Sequence, residues 1–380
     1  MTAAREDVVR GAEHTVREIA QQPALWRQVP GSIEPGLAAF VAGVLTDPSA
    51  RVVLTGAGTS AFAGQVLAPA LRRALRRRVD AVATTDVVAD PSDCFGEDVP
   101  TLLVSFARSG DSPESVATTE LADQLLTDVR HVVLTCNADG RLARQYGDHE
   151  AARVVLMPAG ADDQGFAMTS SFTSMTLAAL LALDPSCDKD LAVRLADIGD
   201  AVLPGWDAGT RELSARGYER VVYLGSGALK GLAHESALKL LELTAGQIVA
   251  LNDSPLAFRH GPKSILDDRT LVVVYLSNDP YTRAYDLDLL DELRRARGGD
   301  DVLAVTADHG DAASATTSWL VPDAAALPDT ALALPAVLFA QYFALHSSLA
   351  RGLTTDNPFP DGEVNRVVQG VRIHGFDRTR

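Results

Sequence analysis

Residues 52–60 read Val-Val-Leu-Thr-Gly-Ala-Gly-Thr-Ser, a short apolar run followed by two glycines and two hydroxyl residues. The run predicts a buried strand, and the glycines predict a tight turn into a helix. A similar stretch, Val-Val-Tyr-Leu-Gly-Ser-Gly-Ala-Leu, stands at 221–229, and the Thr-Leu-Leu-Val of 101–104 returns as Thr-Leu-Val-Val at 270–273. Both pairs are 169 residues apart. This spacing indicates a duplicated structural unit.

Outward from these stretches, β-branched runs alternate with helical segments, a pattern typical of a parallel sheet flanked by helices. The predicted strands of the first half lie near 52–55, 81–84, 101–106, 131–135 and 154–157. Those of the second half lie near 221–224, 247–251, 271–276, 302–306 and 319–321. We therefore predict an α/β fold of two tandem units, each a five-stranded parallel sheet flanked by helices in a doubly wound, flavodoxin-like arrangement.

The same pattern divides the chain of 380 residues into four parts. We expect an N-terminal helical segment at 1–34, a first sheet domain at 35–190, a second at 210–350 and a C-terminal tail at 351–380 that contributes to the active site. The join is expected within 183–217, where proline and glycine residues interrupt the pattern.

Composition limits the partners and the compartment. A net charge of −16 argues against nucleic acid and anionic membranes as partners. The first twenty residues carry charges throughout and lack the apolar core of a signal peptide. The three cysteines have neither a CxxC pair nor metal-ligand spacing. We therefore expect a cytoplasmic protein with no metal and no redox cofactor.

Two runs of about twenty residues, 164–183 and 330–350, carry no charged side chain and are long enough to span a membrane. Their hydroxyl, amide and imidazole groups argue against a span. We interpret both as helices of the core or of a subunit interface.

Polar loops follow two predicted strands of the first half. Loop 55–60 offers glycines and the hydroxyls of Thr59 and Ser60, but it matches neither a dinucleotide fingerprint nor a Walker motif. Loop 105–115, Ser-Phe-Ala-Arg-Ser-Gly-Asp-Ser-Pro-Glu-Ser, adds the guanidinium of Arg108 and further hydroxyls ahead of a helix N-terminus. Because neighbouring parallel strands end at one edge of the sheet, the two loops predict a phosphate site. Taken alone, the second loop is equally well explained as a helix cap.

The second half offers candidates for proton transfer. Glu235, Lys239 and Glu242 are spaced to share one face of the helix that follows the Gly-Ser-Gly turn, although such a pattern is often only helix surface. His260 lies between a basic residue and a Gly-Pro turn, and an imidazole there is a candidate acid or base. The other seven histidines lack a comparable setting.

Five segments together resemble the signature segments of the double-SIS (sugar isomerase) ketose/aldose isomerase family. They are Gly-Thr-Ser at 58–60, Ala-Arg-Ser-Gly-Asp-Ser-Pro-Glu-Ser at 107–115, His-Glu-Ser-Ala-Leu-Lys-Leu-Leu-Glu-Leu-Thr-Ala-Gly at 234–246, Phe-Arg-His-Gly-Pro-Lys-Ser at 258–264, and the tail at 356–370. The tail resembles the branch called tagatose-6-phosphate ketose/aldose isomerase, whose activity is better described as galactosamine-6-phosphate deaminase. The resemblance covers nearly the whole chain and implies two tandem SIS domains.

The resemblance also implies roles for individual residues. Residues implied to bind the sugar phosphate are Gly58, Thr59, Ser60, Ser109 and Ser112, with Arg108 beside them. Glu242 is implied to be the proton-shuttling base. By similarity to the isomerase domain of glucosamine-6-phosphate synthase, Glu235 and Lys239 support that base, and His260 opens the sugar ring from a neighbouring subunit. A homodimer or larger assembly follows.

The tail departs from that synthase at one position. Where the synthase carries a lysine able to form an imine with a ketose, our alignment places Gln369 among the substrate-binding residues. An amide cannot form a Schiff base, so direct enolisation is the simpler expected route.

The resemblance implies a phosphosugar substrate, most specifically galactosamine 6-phosphate, converted to tagatose 6-phosphate and ammonia by proton abstraction at C2. Glucosamine-6-phosphate deamination and plain phosphosugar isomerisation stay open, because one hydroxyl separates the two sugars. An alternative of another class is a non-catalytic phosphosugar sensor. Such sensors usually carry a helix-turn-helix domain, and they would have no use for Glu242 and His260.

Overall fold

The structure is a computed structural model that describes residues 10–308, 310, 318–368 and 370–377. Its N-terminal helices are α1 (Glu13–Ala20), α2 (Gln22–Trp26), α3 (Val29–Ser32) and α4 (Leu37–Val44). The first domain contains β1 (Arg51–Gly56), α5 (Thr59–Leu75), β2 (Arg78–Ala83), α6 (Thr84–Ala89), α7 (Pro91–Phe95), β3 (Thr101–Ala107), α8 (Pro113–Leu125), β4 (Val129–Thr135), α9 (Arg141–Tyr146), β5 (Ala152–Leu156) and α10 (Ser170–Leu183).

After the connecting helix α11 (Asp190–Ser214), the second domain repeats the alternation of parallel strands and helices with fewer described helices. It contains β6 (Arg220–Leu224), α12 (Ala228–Leu243), β7 (Val249–Asp253), α13 (Pro255–Phe258), β8 (Thr270–Tyr275), α14 (Pro280–Arg297), β9 (Val302–Thr306), β10 (Ser318–Leu320) and α15 (Asp329–Leu349). Short 3-10 turns lie at Ala159–Ala161 and Pro262–Ile265.

Each domain is built on a five-stranded parallel sheet. The strand order is β2-β1-β3-β4-β5 in the first and β7-β6-β8-β9-β10 in the second, which is the flavodoxin-like order in both. The predicted fold is therefore confirmed, and all ten predicted strands are present. The largest shift is in β2, which begins at Arg78 rather than at 81. It is an edge strand, where polar residues such as Arg78 and Asp80 are tolerated, so the apolar pattern alone starts it too late.

Most of the join between the domains is one continuous helix, and the chain is non-helical only at the two ends of the join, after Leu183 and before Arg220. Helix α11 runs for 25 residues and contains Pro204. Apolar residues on both sides of the proline, including Val202 and Trp206, are buried, and the helix packs against α15 and α2. Tertiary packing therefore offsets the lost backbone donor of Pro204, and the interruption expected there does not occur.

The two uncharged runs are buried helices of this chain. By length and composition α15 could cross a membrane, yet 94% of its most apolar 18-residue stretch is buried inside the protein, and the helix packs against α11 and α12. The core interpretation is therefore confirmed for both helices. The first run becomes helical only from Ser170, because the buried carboxylate of Asp163 accepts the N–H groups of Thr169 and Ser171 at 2.9 Å and caps the helix.

Helices α5 and α12 are equivalent in the two domains and pack directly against each other. Gly231 permits this approach, since a Cβ at that position would lie 2.7 Å from the backbone nitrogen of Val66. Gln65 and His234, which are 169 residues apart, hydrogen bond across the contact. The close approach brings the C-terminal end of α12 against the loops of the first domain.

Candidate active site

The loop after β1 is shaped by Gly58, whose φ of 54° favours glycine and turns the chain into α5. Thr59 and Ser60 follow as the first residues of that helix, and both are buried. Among the described residues the hydroxyl of Thr59 has no hydrogen-bond partner of good geometry, although it lies close enough to the buried carboxyl of Glu235 to lower the pKa of that group. A buried donor without a partner is costly, so this hydroxyl is available to a ligand.

The loop after β3 carries a guanidinium and two serines. Arg108 is 7% exposed; its Nη2 donates to the carbonyl of Arg366 at 3.2 Å, while its Nη1 is buried without a partner in the described chain. Burial and the positive charge of Arg366 hold the pKa of Arg108 below its usual value. An anion beside Arg108 would stabilise its buried positive charge and offset the repulsion from Arg366.

The serines of this loop combine two roles that the sequence left as alternatives. The Ser112 hydroxyl caps α8 by accepting the N–H of Ser115 at 3.4 Å, and it donates to the Ser115 hydroxyl at 2.6 Å. The Ser109 hydroxyl accepts the N–H of Asp111 at 3.2 Å. Both serines also line a cavity, so capping a helix and facing a ligand do not exclude each other.

That cavity has a volume of about 240 Å³ and lies where the two loops, the end of α12 and the tail meet. Seven of the predicted site residues line it: Gly58, Thr59, Ser60, Arg108, Ser109, Ser112 and Glu242. The volume suits a small polar ligand of the size of a hexose phosphate rather than a dinucleotide.

Behind the cavity, three charged residues of α12 form a line. Lys239 Nζ lies 2.5 Å from Glu242 Oε2 and 3.6 Å from Glu235 Oε1. Glu235 and Lys239 are fully buried, whereas the Glu242 side chain is 25% exposed and reaches the cavity. The spacing that the sequence left open as helix surface therefore forms a buried ion-pair network.

Burial raises the pKa of Glu235 to about 8; the negative charge of Glu242 adds to the rise, and Lys239 opposes it. Burial disfavours the charge on Lys239, but the two neighbouring carboxyl groups outweigh it and raise its pKa. At neutral pH, Glu235 is therefore mainly a neutral acid, and the ammonium of Lys239 pairs with Glu242.

His260 lies apart from this cavity in its own chain. It follows α13, its side chain is exposed, and its backbone N–H donates to the carbonyl of Ala257 at 2.9 Å. Its neighbours Arg259 and Lys263 both pair with Glu292 of α14. The predicted site residue Gln369 lies outside the described residues.

Sequence reasoning did not single out several other residues that line the cavity, although most of them belong to the two loops or the tail that it placed at the site. They are Ala57, Phe106, Ala107, Gly110, Ser115, Phe166, Met168 and the tail residues Val364, Asn365, Arg366, Val367 and Val368. Phe166 and Met168 belong to the uncharged run 164–183, which we interpreted as one helix. Nothing in that run distinguishes these two residues as part of a site. The tail as a whole was expected at the site, but nothing in its sequence singles out Arg366.

The tail is anchored on both sides of the cavity. Before it, the carboxylate of Asp356 accepts the N–H groups of His14 and Thr15 at 2.9 and 2.8 Å. Beyond it, the carbonyl of Phe376 accepts a hydrogen bond from Gln124 of α8 at 3.3 Å.

In the part of the chain that the structure describes, no three His, Cys, Asp or Glu side chains are grouped so as to hold a metal ion.

Comparison with known proteins gives matches along nearly the whole chain. The family model described as SIS domain matches residues 45–184. A Streptomyces coelicolor protein, provisionally named D-galactosamine-6-phosphate deaminase AgaS, is 57% identical over 96% of this chain and 96% of its own length. The D-galactosamine-6-phosphate deaminase AgaS of Shewanella sp. (strain ANA-3) is 42% identical over 96% of this chain and 93% of its own length.

A solved structure is similar over the same extent. The crystal structure of tagatose-6-phosphate ketose/aldose isomerase from Escherichia coli matches with a TM-score of 0.89 and 41% identity, covering 97% of this chain and 98% of that one.

Proposed function

We propose that this chain, which belongs to the SIS-domain sugar isomerase family and to its AgaS branch, converts galactosamine 6-phosphate into tagatose 6-phosphate and ammonia. The relatives confirm the family that the sequence segments resemble, and they are enzymes rather than sensors. One observation supports the proposal most directly: Glu242 lines the same cavity as the hydroxyls and the guanidinium suited to a phosphate.

In this proposal the phosphate binds between the two loops of the first domain. The hydroxyls of Thr59 and Ser109 donate to its oxygens, the hydroxyl of Ser112 does so after turning away from Ser115, and Arg108 supplies a charge-assisted bond. Thr59 and Arg108 contribute buried donor atoms that have no partner in the described chain. Placing the phosphate there would fix the sugar carbons against the end of α12, which lowers the entropic part of the barrier.

Glu242 then acts as the general base. Ring opening exposes the C1 aldehyde and makes the C2 hydrogen acidic, and the carboxylate of Glu242 removes that hydrogen. The enolamine regains a proton at C1 and becomes a C2 imine, which water hydrolyses to the ketose and ammonia. Lys239 pairs with the Glu242 carboxylate and holds it in place. Because Glu235 is neutral, the positive charge of Lys239 interacts mainly with Glu242.

The same proton transfer on a sugar with a C2 hydroxyl would give aldose–ketose isomerisation, the activity in the name of the E. coli structure. A substrate panel separates the two reactions. Galactosamine, glucosamine and galactose 6-phosphates would each be incubated with the protein while ammonia and ketose are assayed independently. We expect ammonia and ketose in equal amounts, fastest from the galacto amino sugar. Ketose formed only from galactose 6-phosphate, with no ammonia from either amino sugar, would contradict deamination.

His260 is proposed to open the ring from the partner subunit of a cytoplasmic homodimer, because it is exposed and lies outside its own chain's cavity. Mixing the Glu242→Gln and His260→Ala proteins tests this. If the two residues meet across an interface, mixed dimers regain one intact site, and activity rises above that of either variant. Activity that stays at the sum of the separate variants after subunit exchange would contradict the cross-subunit role.

A further inference from the structure

The second domain contains a loop pair equivalent to the one proposed to bind phosphate, and this pair is already occupied by a side chain. Gly227 precedes α12 with φ 56° and ψ −122°, nearly the values of Gly58 before α5, which are 54° and −125°. The carboxylate of Asp286, on α14, lies between the loops. It accepts the Ser226 hydroxyl at 2.6 Å and the Ser277 N–H at 3.0 Å.

Strand register identifies the equivalent positions. Thr101 of β3 pairs with the first residue of β1, as Thr270 of β8 pairs with the first residue of β6. Seven residues further along the chain, just beyond the ends of these two strands, stand Arg108 and Ser277. The 169-residue spacing likewise relates Ala57 to Ser226. Ala57 and Arg108 both line the cavity of the first domain. Their counterparts in the second domain are Ser226 and Ser277, and the carboxylate of Asp286 accepts a hydrogen bond from each of them.

The two loop pairs differ in their polar groups. Thr59 and Ser60 of the first domain are replaced by Ala228 and Leu229 in the second, which removes two hydroxyls. In the first domain the Thr59 hydroxyl and Arg108 Nη1 lack partners within the described chain, whereas in the second the loop donors are satisfied by Asp286. The first pair is therefore open to a ligand, and the second is internally complete.

The surroundings of Asp286 fit a fixed internal anion. The residue is fully buried, and burial raises its pKa to about 6. The negative charge of Asp329 adds to the rise; that residue accepts the Ser277 hydroxyl at 2.6 Å and the Asn278 N–H at 2.7 Å. The positive charge of Arg283 opposes it. A second anion in this place would meet two carboxylates, and the guanidinium of Arg283 donates its hydrogen bonds to Ser277, Thr306 and Asp308 instead.

We propose that the carboxylate of Asp286 takes, in the second domain, the place that the substrate phosphate takes in the first, so that each chain binds a single phosphosugar. The inference rests on the proposed function for the location of the phosphate. It makes the second domain a source of the catalytic base rather than a second substrate site.

Removing the internal anion should leave a vacant site for a small carboxylate. In Asp286→Ala the Ser226 hydroxyl and the Ser277 N–H lose their acceptor, and the space released is that of a formate ion. We expect thermal unfolding of the variant to begin at a lower temperature than in the wild type. Sodium formate, compared with sodium chloride at equal ionic strength, should raise the midpoint of the variant but not that of the wild type.

Asp288→Ala is the matched control, because Asp288 is an exposed carboxylate on the same helix. Formate should leave its midpoint unchanged relative to chloride. If Asp286→Ala folds but formate raises its unfolding midpoint no more than that of Asp288→Ala, the proposal is overturned. If Asp286→Ala folds only in part, recovery of native protein on refolding should increase with formate and not with chloride. Equal recovery in the two salts would count against the internal anion.

Titration calorimetry on the Glu242→Gln protein, which cannot consume the substrate in the proposed mechanism, gives a second and independent measurement. One galactosamine 6-phosphate per chain is expected, and two per chain would overturn the inference. Absence of binding would instead refute the proposed phosphate site, and the formate comparison would still decide whether Asp286 is an internal anion.

Discussion

Replacing Glu235 with glutamine tests the buried acid behind the proposed base. Glu235 is fully buried, and burial raises its pKa from the ordinary 4.5 to about 8. Because one pKa unit corresponds to about 1.4 kcal/mol, ionising Glu235 in the folded protein costs roughly 3–5 kcal/mol more than in the unfolded chain. The wild type should therefore hold this proton on folding.

The sign of the pH dependence follows from this proton. A group whose folded pKa is raised contributes stability that is complete below pH 4.5, the ordinary pKa, and is lost as pH rises through the folded pKa of about 8. Glutamine cannot ionise, so Glu235→Gln lacks this loss. From about pH 5 to pH 9, the free energy of unfolding of the variant minus that of the wild type should increase by roughly 3–5 kcal/mol.

Urea unfolding at pH 5, 7 and 9 measures the difference directly. Glu212→Gln provides the control, since Glu212 is an exposed glutamate on α11 and its replacement should give a pH-independent difference. A Glu235→Gln difference that stays constant within about 0.5 kcal/mol, the usual range for surface substitutions, would refute the reasoning. It would mean that Glu235 ionises as an ordinary carboxyl group and that the α12 network carries an additional negative charge at neutral pH.

Three further predictions concern the cavity and its support. Glu242→Gln should lower turnover and solvent-deuterium exchange at C2 by about 10²–10⁴-fold, and substantial exchange in the folded variant would identify another base. Ser109→Ala combined with Ser112→Ala should raise KM for the phosphosugar by about tenfold or more, since each bond to a charged group contributes about 1.5–3 kcal/mol; unchanged KM and kcat would remove this loop from the site. Gly231→Ala should destabilise the protein by about 1–3 kcal/mol through overpacking, measured by urea unfolding. In contrast, Gly205→Ala, in a helix with no atom within 4 Å of the added Cβ, should be neutral or stabilising, and equal effects at the two glycines would contradict the close approach of α5 and α12.

Local sequence pattern was sufficient for the sheets because parallel strands are buried on both faces. Strands β1 and β3 are buried along their whole length, and their apolar runs end at glycine or polar loops. The pattern was least accurate where tertiary contacts decide the outcome. Pro204 was expected to interrupt the pattern at the join, yet α11 continues through it. Residue 164 was interpreted as part of a helix that begins only at Ser170, where Asp163 caps it.

The candidate site could be predicted only in part for a related reason. Thr59 and Arg108 stand next to recognisable strand ends, so their convergence follows from the topology of a parallel sheet. Arg366 and Asp286 reach their positions through contacts between segments that are distant in sequence. Arg366 meets Arg108 across 258 residues, and Asp286 meets Ser226 across 60. No periodicity or motif records such a contact.

Duplication explains why the site lies between the domains rather than inside either one. Two copies of one unit pack through their equivalent helices, so the end of α12 faces the loop that opens α5. In the proposed function the first copy holds the phosphate, because it keeps Arg108 and the hydroxyls, while the second supplies Glu242 as the base from a helix with a buried lysine behind it. Once the base comes from the second copy, an anion bound between that copy's own loops serves no reaction. A built-in carboxylate such as Asp286 satisfies the donors that remain without recruiting a ligand.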